Sequence, residues 1–388
     1  MVVLVAWAGL SWVAVATTAV ATTVAQSPPR ALDVPPGFPQ PKVPADNPVT
    51  AEKVTLGRLL FYDTRLSSDG TFSCASCHKQ SRSFADEKAQ SVGVTGGLHP
   101  RGAMSLANVA YLPVLTWANP TVQRLEAQAL VPMFGEHPIE LGLAGQEASL
   151  LSRLEREPRY APAFSAAFSG ESDPFTLSNI TKAIASFERT LLSGRSPYDR
   201  YRTKLEFNAI SPAAHRGEDL FFSERTACFE CHGGFNFTGT VDFVGKPLTE
   251  MTYHNTGLYN IDGRGGYPAS NTGVYAVSAN PADMGRFRAP SLRNIAVTAP
   301  YMHDGSIPTL EGVIAHYEAG GRTIATGPHQ GVGARSPLKS VLVKGFTLTP
   351  SDRADLIAFL ESLTDQEFLT DPRLSDPWPS HSSPGVVR

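Results

Sequence analysis

The sequence predicts a mainly α-helical protein with two related halves, and two observations carry that prediction. Segments such as 176–194 and 348–365 place apolar residues on one helical stripe, while few segments alternate as strands do. The order glycine, Leu-Phe pair, polar turn and C-x-x-C-H also occurs twice, in the segments that begin at Gly57 and at Arg216. A repeated arrangement of this kind indicates two related domains.

The N-terminus predicts export. Residues 1–25 carry no charge and are rich in small apolar side chains, which is typical of a cleaved signal peptide and indicates a periplasmic protein. An uncleaved membrane anchor is the alternative. Residues 26–50 are Pro-rich and extended. The net charge of −3 favours neither nucleic acid nor a membrane surface as a partner.

Two long amphipathic segments mark the domains. The first is expected to bury Ile180, Ile184, Phe187 and Leu191, and the last helix is expected to bury Leu356, Phe359, Leu360 and Leu363. We predict a first domain over 51–205, a second over 206–370, and a loosely held tail over 371–388.

All four cysteines belong to C-x-x-C-H motifs, the attachment signal of c-type haem. On one helical face, Cys74 and Cys77 would bond the porphyrin edge while His78 binds the iron. Zinc would need further ligands that the sequence lacks, and two disulfides are the other use of four exported cysteines. We therefore predict two covalent haem c groups in cytochrome c-like domains, the second held by Cys228, Cys231 and His232.

From Gly57 to Leu363 the chain resembles the bacterial di-haem cytochrome c peroxidase and MauG superfamily. The resemblance rests on "LLFYDTRLSSDGTFSCASCH", "HPIELG", "FRAPSLRNIAVTAPYMHDG" and the last helix. It implies that hydrogen peroxide reacts at the N-terminal haem while the C-terminal haem exchanges electrons. Peroxidases of this superfamily draw electrons from a small cytochrome or cupredoxin, whereas the MauG branch forms a bis-Fe(IV) state and oxidises another protein.

Peroxide cleavage needs a group that moves a proton between the two oxygens. The resemblance places Glu140 of "HPIELG" in this role, with Glu136 as the competing acid. It also places Gln128 and Pro132 in the same distal pocket, and Trp117 between the two haems as an electron relay.

The sixth position of the first iron is expected to be open. Many peroxidases of the superfamily carry a second histidine in a loop where this chain has Val94. We therefore expect a five-coordinate iron that meets peroxide without prior reduction. His99, in the same loop, is the alternative ligand.

"TLEGVIAHYEAGG" predicts a helix capped by Thr309 and stopped by two glycines. Its buried stripe should include Leu310, Val313, Ile314 and Tyr317, and His316 points away from that stripe, so we expect it to be exposed. From spacing alone, Tyr317 is a core tyrosine.

The resemblance changes the interpretation of Tyr317. Counted from Thr298, it occupies the position where the MauG branch has a tyrosine that binds the second iron, opposite His232. Met302 and Met284 are the alternative ligands.

Within that branch, "FGEHPIELGLAG" and "HYEAGGR" are most similar to MbnH-like enzymes. This implies a periplasmic, copper-binding partner protein in which a tryptophan becomes kynurenine. The resemblance also implies a calcium ion between the haems, bound by the carbonyls of Thr298 and Pro300. Gly102 replaces an asparagine that is usual near that site.

Overall fold

The computed structural model describes residues 32–247 and 251–378. The predicted export signal and the last ten residues of the tail lie outside them. In the described chain no helix is both long and apolar enough to cross a membrane. The helices of the first half are α1 Ala51–Tyr62, α2 Cys74–Cys77, α3 Leu125–Phe134, α4 Glu147–Glu155, α5 Tyr160–Ala167 and α6 Leu177–Glu188.

The second half contributes further helices and two short antiparallel strand pairs. The helices are α7 Pro197–Lys204, α8 Pro212–Phe221, α9 Phe229–His232, α10 Tyr275–Ser278, α11 Leu310–Glu318, α12 Pro350–Glu361 and α13 Gln366–Thr370. Two antiparallel pairs join β1 Tyr253–His254 to β2 Phe287–Arg288, and β3 Thr323–Ile324 to β4 Gly331–Val332. The mainly α-helical prediction is confirmed.

The repeat seen in the sequence corresponds to one helix crossing made twice. A Cβ atom on Gly57 of α1 would lie 1.9 Å from the carbonyl oxygen of Ala183 in α6. A Cβ atom on Gly217 of α8 would lie 1.9 Å from the carbonyl oxygen of Asp355 in α12. Only glycine permits so close an approach of two helix backbones. A short helix bearing the C-x-x-C-H motif follows each crossing, as α2 follows α1 and α9 follows α8.

Each half has its own hydrophobic core. Side chains of α1, α3, α4, α5 and α6 form the first core, with Phe61 and Phe187 completely buried. Side chains of α7, α8, α11 and α12 form the second, around Phe359. Cys74 packs against the first core and Cys228 against the second, so each attachment motif lies on the core of its own half. The boundary near residue 205 stays a prediction.

The chain finally returns to the first half. Phe368, Leu369 and Leu374 are buried in the first core, although they follow the helices of the second. The hydroxyl of Tyr62 donates to the Leu374 carbonyl at 2.7 Å, and the Trp378 indole N–H donates to the Leu59 carbonyl at 2.9 Å. The prediction of a loosely held tail is therefore wrong for residues 371–378, because polar groups of α1 bind their backbone.

Candidate active site

The first attachment motif forms a single turn that directs a histidine into the protein. The His78 N–H donates to the Cys74 carbonyl at 2.9 Å, which closes the turn. His78 Nδ1 lies 2.7 Å from the Phe84 carbonyl oxygen and must donate to it. This hydrogen bond leaves Nε2 as the free nitrogen, as an iron ligand requires. Cys74 and Cys77 are free thiols, available for thioether bonds.

The second motif repeats this arrangement. The His232 N–H donates to the Cys228 carbonyl at 3.0 Å, and His232 Nδ1 lies 3.1 Å from the Pro290 carbonyl oxygen. Burial lowers the pKa of His232 to about 4, so its imidazole is neutral, the form that binds metal. Cys228 and Cys231 are also free thiols in the structure, as thioether attachment requires.

A cavity of about 410 Å³ opens beside Cys74, Cys77 and His78. The structure brings the predicted distal residues to its wall, namely Trp117, Gln128, Pro132 and Glu140. Burial raises the pKa of Glu140 to about 6, which suits a group that exchanges a proton near neutral pH. Glu136 is exposed and lies outside this wall. Their catalytic roles stay predictions, but the geometry favours Glu140 over Glu136.

Two loop residues near this cavity differ in position. Val94 packs toward Gly142, outside the cavity wall, whereas His99 lines the cavity. His99 Nε2 lies 3.7 Å from Glu140 Oε1.

Trp117 connects the first cavity to the second half of the chain. It lines the cavity and also packs against the second core. Its indole N–H donates to the Gly102 carbonyl at 3.0 Å, and its own carbonyl accepts from the Arg288 N–H at 2.9 Å. The position therefore fits the predicted relay, because the indole touches both halves.

Helix α11 begins where predicted, with the Thr309 side chain accepting from the Gly312 N–H. Tyr317 faces the second attachment motif. Its hydroxyl pKa is raised by burial first, and then by the neighbouring Cys231 and Cys228. This location is compatible with a ligand of the second iron, and the assignment over Met302 and Met284 stays a prediction.

The expectation that His316 is exposed is wrong, since only 5% of it is accessible. The loop segments around Thr256 and Arg322 pack against His316 beside the apolar stripe of α11, while Glu311 and Ala315 stay exposed. The helix is therefore buried on more than one face.

Sequence reasoning missed two charged residues in the wall of the first cavity. Arg288 is 5% exposed, and its Nη1 has no hydrogen-bond partner within the described residues. Burial lowers its pKa to about 10. A buried guanidinium with a free N–H fits a haem carboxylate. Burial raises the pKa of Glu188 to about 8, so this acid is neutral at pH 7. A charged residue inside the apolar helix α6 was the available signal for Glu188.

Backbone carbonyls are the predicted ligands of the calcium ion. Across 32–247 and 251–378, no group of three or more His, Cys, Asp or Glu side chains is placed to hold a metal ion. The Arg82 guanidinium donates to the Val297 and Ala299 carbonyls at 3.3 and 3.4 Å. A cation at Thr298 and Pro300 would thus depend on carbonyls and water beside a positive charge, and it stays a prediction.

Comparison with known proteins identifies the family of this chain. A family model described as di-haem cytochrome c peroxidase matches residues 51–206, and one described as RoxA-like, cytochrome c-like matches residues 286–318. The chain is 36% identical to cytochrome-c peroxidase IdrP1 of Denitromonas iodatirespirans, over 87% of each protein. It is 36% identical to the methylamine utilization protein MauG of Methylorubrum extorquens, over 85% of this chain and 82% of that protein.

Among solved structures, the chain is similar to a MauG-like protein associated with microbial copper homeostasis. The TM-score is 0.87 at 48% sequence identity, covering 89% of this chain and 99% of the other. The predicted cytochrome c-like fold, the haem c cofactors and an oxidoreductase that uses peroxide are thereby confirmed. This chain belongs to the di-haem cytochrome c peroxidase and MauG family.

Proposed function

We propose that this protein uses hydrogen peroxide to oxidise a tryptophan of a periplasmic partner, converting it to kynurenine in a copper-binding protein. The observation that carries the proposal is the position of Tyr317, half-buried and next to Cys228 and Cys231. The chain is 48% identical to a MauG-like protein associated with microbial copper homeostasis, and this similarity supports a copper-binding protein as the partner. The export signal falls on residues outside the described chain, so the periplasmic location is part of the proposal.

The haem groups would supply the redox chemistry with peroxide. Cys74, Cys77 and His78 would hold the first, and the second would be held by Cys228, Cys231, His232 and Tyr317. A phenolate is a hard anionic donor that stabilises higher oxidation states of iron, whereas a methionine thioether favours the ferrous state. Tyr317 would thus let the second iron give up an electron when peroxide reacts at the first.

Three side chains act around the first cavity. Glu140 would accept a proton from one peroxide oxygen and return it to the other, departing oxygen. Gln128 orients the peroxide by hydrogen bonding across the cavity that it lines with Glu140. Trp117 lies where an electron would cross from the second half, because its indole lines the cavity and packs on the second core.

Mössbauer spectroscopy of the haem-loaded protein tests the proposal. The diferric protein is mixed with one equivalent of peroxide without reductant, and Tyr317→Met is the matched variant. We expect both iron sites of the wild type to lose an electron, and only the first to react in the variant. A diferric wild type that stays inert until half-reduced would contradict the proposal.

That outcome would instead support reduction of peroxide with electrons from a small cytochrome or cupredoxin. The 36% identity to cytochrome-c peroxidase IdrP1 favours this second function. The two functions also differ in their electron source, since the peroxidase should turn over continuously with a reduced donor protein.

A further inference from the structure

A short hairpin holds a histidine next to the predicted catalytic acid. The His99 N–H donates to the Ser91 carbonyl at 2.8 Å, and Val92 pairs with Leu98 across the turn. The Val94 N–H donates to the Glu140 carbonyl at 2.8 Å. The backbone of the hairpin is therefore bound directly to the backbone of Glu140, so the two side chains keep a fixed relative position.

Gly93, the residue before Val94, also holds the hairpin close to the segment that carries Glu140. A Cβ atom on Gly93 would lie 1.9 Å from the carbonyl oxygen of Ile139, so only glycine lets the hairpin approach the 139–140 segment. The hairpin and the acid thus form one local unit at the cavity wall.

The imidazole of His99 is oriented at both ends. Nδ1 lies 3.1 Å from the Arg101 backbone nitrogen and also 3.1 Å from the Arg101 carbonyl oxygen. Nε2 then points toward Glu140 Oε1, at 3.7 Å. Within the described chain the Glu140 carboxyl accepts no hydrogen bond, and burial is the one cause that raises its pKa. His99 is therefore the polar group placed to bind it, and such contacts often tighten only when the substrate is bound.

We propose that His99 is a positioning residue for Glu140, holding its carboxyl toward the peroxide in both protonation states. When Glu140 is ionised, Nδ1 accepts from the Arg101 N–H and Nε2–H donates to the carboxylate. When Glu140 is protonated, Nδ1–H donates to the Arg101 carbonyl and Nε2 accepts from the carboxyl. Glu140 loses and regains a proton in each turnover, and in both states His99 can form a hydrogen bond with it. This inference rests on the proton-transfer role of Glu140 in the proposed function.

Cyanide binding to the diferric, haem-loaded protein tests the interaction between His99 and Glu140 without measuring peroxide turnover. Hydrogen cyanide must give its proton to a distal base as it binds, so its association rate reports that base. Stopped-flow rates are measured from pH 5 to 8 for the wild type, His99→Leu and His99→Gln. His329→Gln, at an exposed histidine, is the control.

We expect the rate for His99→Leu to fall by about tenfold at pH 5, below the inflection, and the inflection to move upward by about one pH unit. The direction follows because loss of an Nε2–H donor destabilises the carboxylate. Glutamine both donates and accepts, so His99→Gln should stay within about twofold of the wild type. Arg101 beside His99, and His137, Glu188 and Arg288 in the cavity wall, remain unchanged in every variant.

Three results would overturn the inference. They are wild-type behaviour in His99→Leu, equal loss in His99→Leu and His99→Gln, and a change of the first haem from low to high spin in His99→Leu. The last result would make His99 an iron ligand. Glu140→Gln separates this inference from its premise, because unchanged cyanide kinetics in that variant would remove the acid/base role itself.

Discussion

The carboxyl of Glu140 shares a cavity wall with Gln128, Pro132 and Trp117, and its pKa is raised by burial to about 6. Since the ionised form must accept the first proton, the rate of the peroxide reaction should rise with pH through about 6. Glu140→Gln should slow the reaction by about 10² to 10⁴-fold and abolish that rise. Stopped-flow spectroscopy across pH measures both effects.

Glu136→Gln is the matched control, since Glu136 is exposed and lies outside the cavity wall. Equal losses in both variants, or full reactivity in Glu140→Gln, would remove Glu140 from the mechanism.

At the scale of single residues, the sequence predicted the sites whose residues are close together in the chain. The two C-x-x-C-H motifs specify cysteines and a histidine within one helical turn, so spacing alone is informative. His99 and Arg288 reach the first cavity only through tertiary contacts, from segments far apart in the chain. The resemblance named His99 as an alternative iron ligand, but no pattern of neighbouring residues predicts that it and Arg288 line the same cavity as Glu140.

At the scale of elements, the two halves depend on the glycine at each helix crossing. Gly217→Ala would place a Cβ atom 1.9 Å from the Asp355 carbonyl oxygen and force α8 and α12 apart. We expect a loss of about 1–3 kcal/mol in the free energy of unfolding, measured by urea denaturation of the haem-loaded protein. Gly170→Ala is the control, because nothing lies within 4 Å of that position. Equal stability of both variants would contradict the proposed cost of separating the helices.

The elements also show where periodicity is insufficient. The stripe of α11 correctly predicts burial of Leu310 and Ile314, which are 8% and 4% exposed, but Val313 and Tyr317 of the same stripe are only half-buried. The same stripe predicts an exposed His316, because a helical period describes one packed face. Loops cover the part of the helix around His316, beside the stripe, and loop packing leaves no periodic signal in the sequence.

At the scale of the whole molecule, the end of the chain fastens onto its beginning. The Arg159 guanidinium lies 3.6 Å from the centre of the Trp378 ring, and Arg65 lies 5.0 Å from it. Trp378→Ala removes these contacts and the indole hydrogen bond to Leu59, so we expect a loss of about 2 kcal/mol in the free energy of unfolding. Val341→Ala, at a side chain that is 82% exposed, should change stability little. An unchanged unfolding midpoint in Trp378→Ala would show that the last described residues do not stabilise the first half.

The return of residues 366–378 to the first core also sets an order of folding. During synthesis, α1 and the first attachment motif emerge early, but Phe368, Leu369 and Leu374 emerge last. The first core is therefore incomplete until nearly the whole chain has been delivered. Cys74 and Cys77 accordingly remain in an unfinished domain while the second half already has its helices through α12, and the half that is made first is completed last.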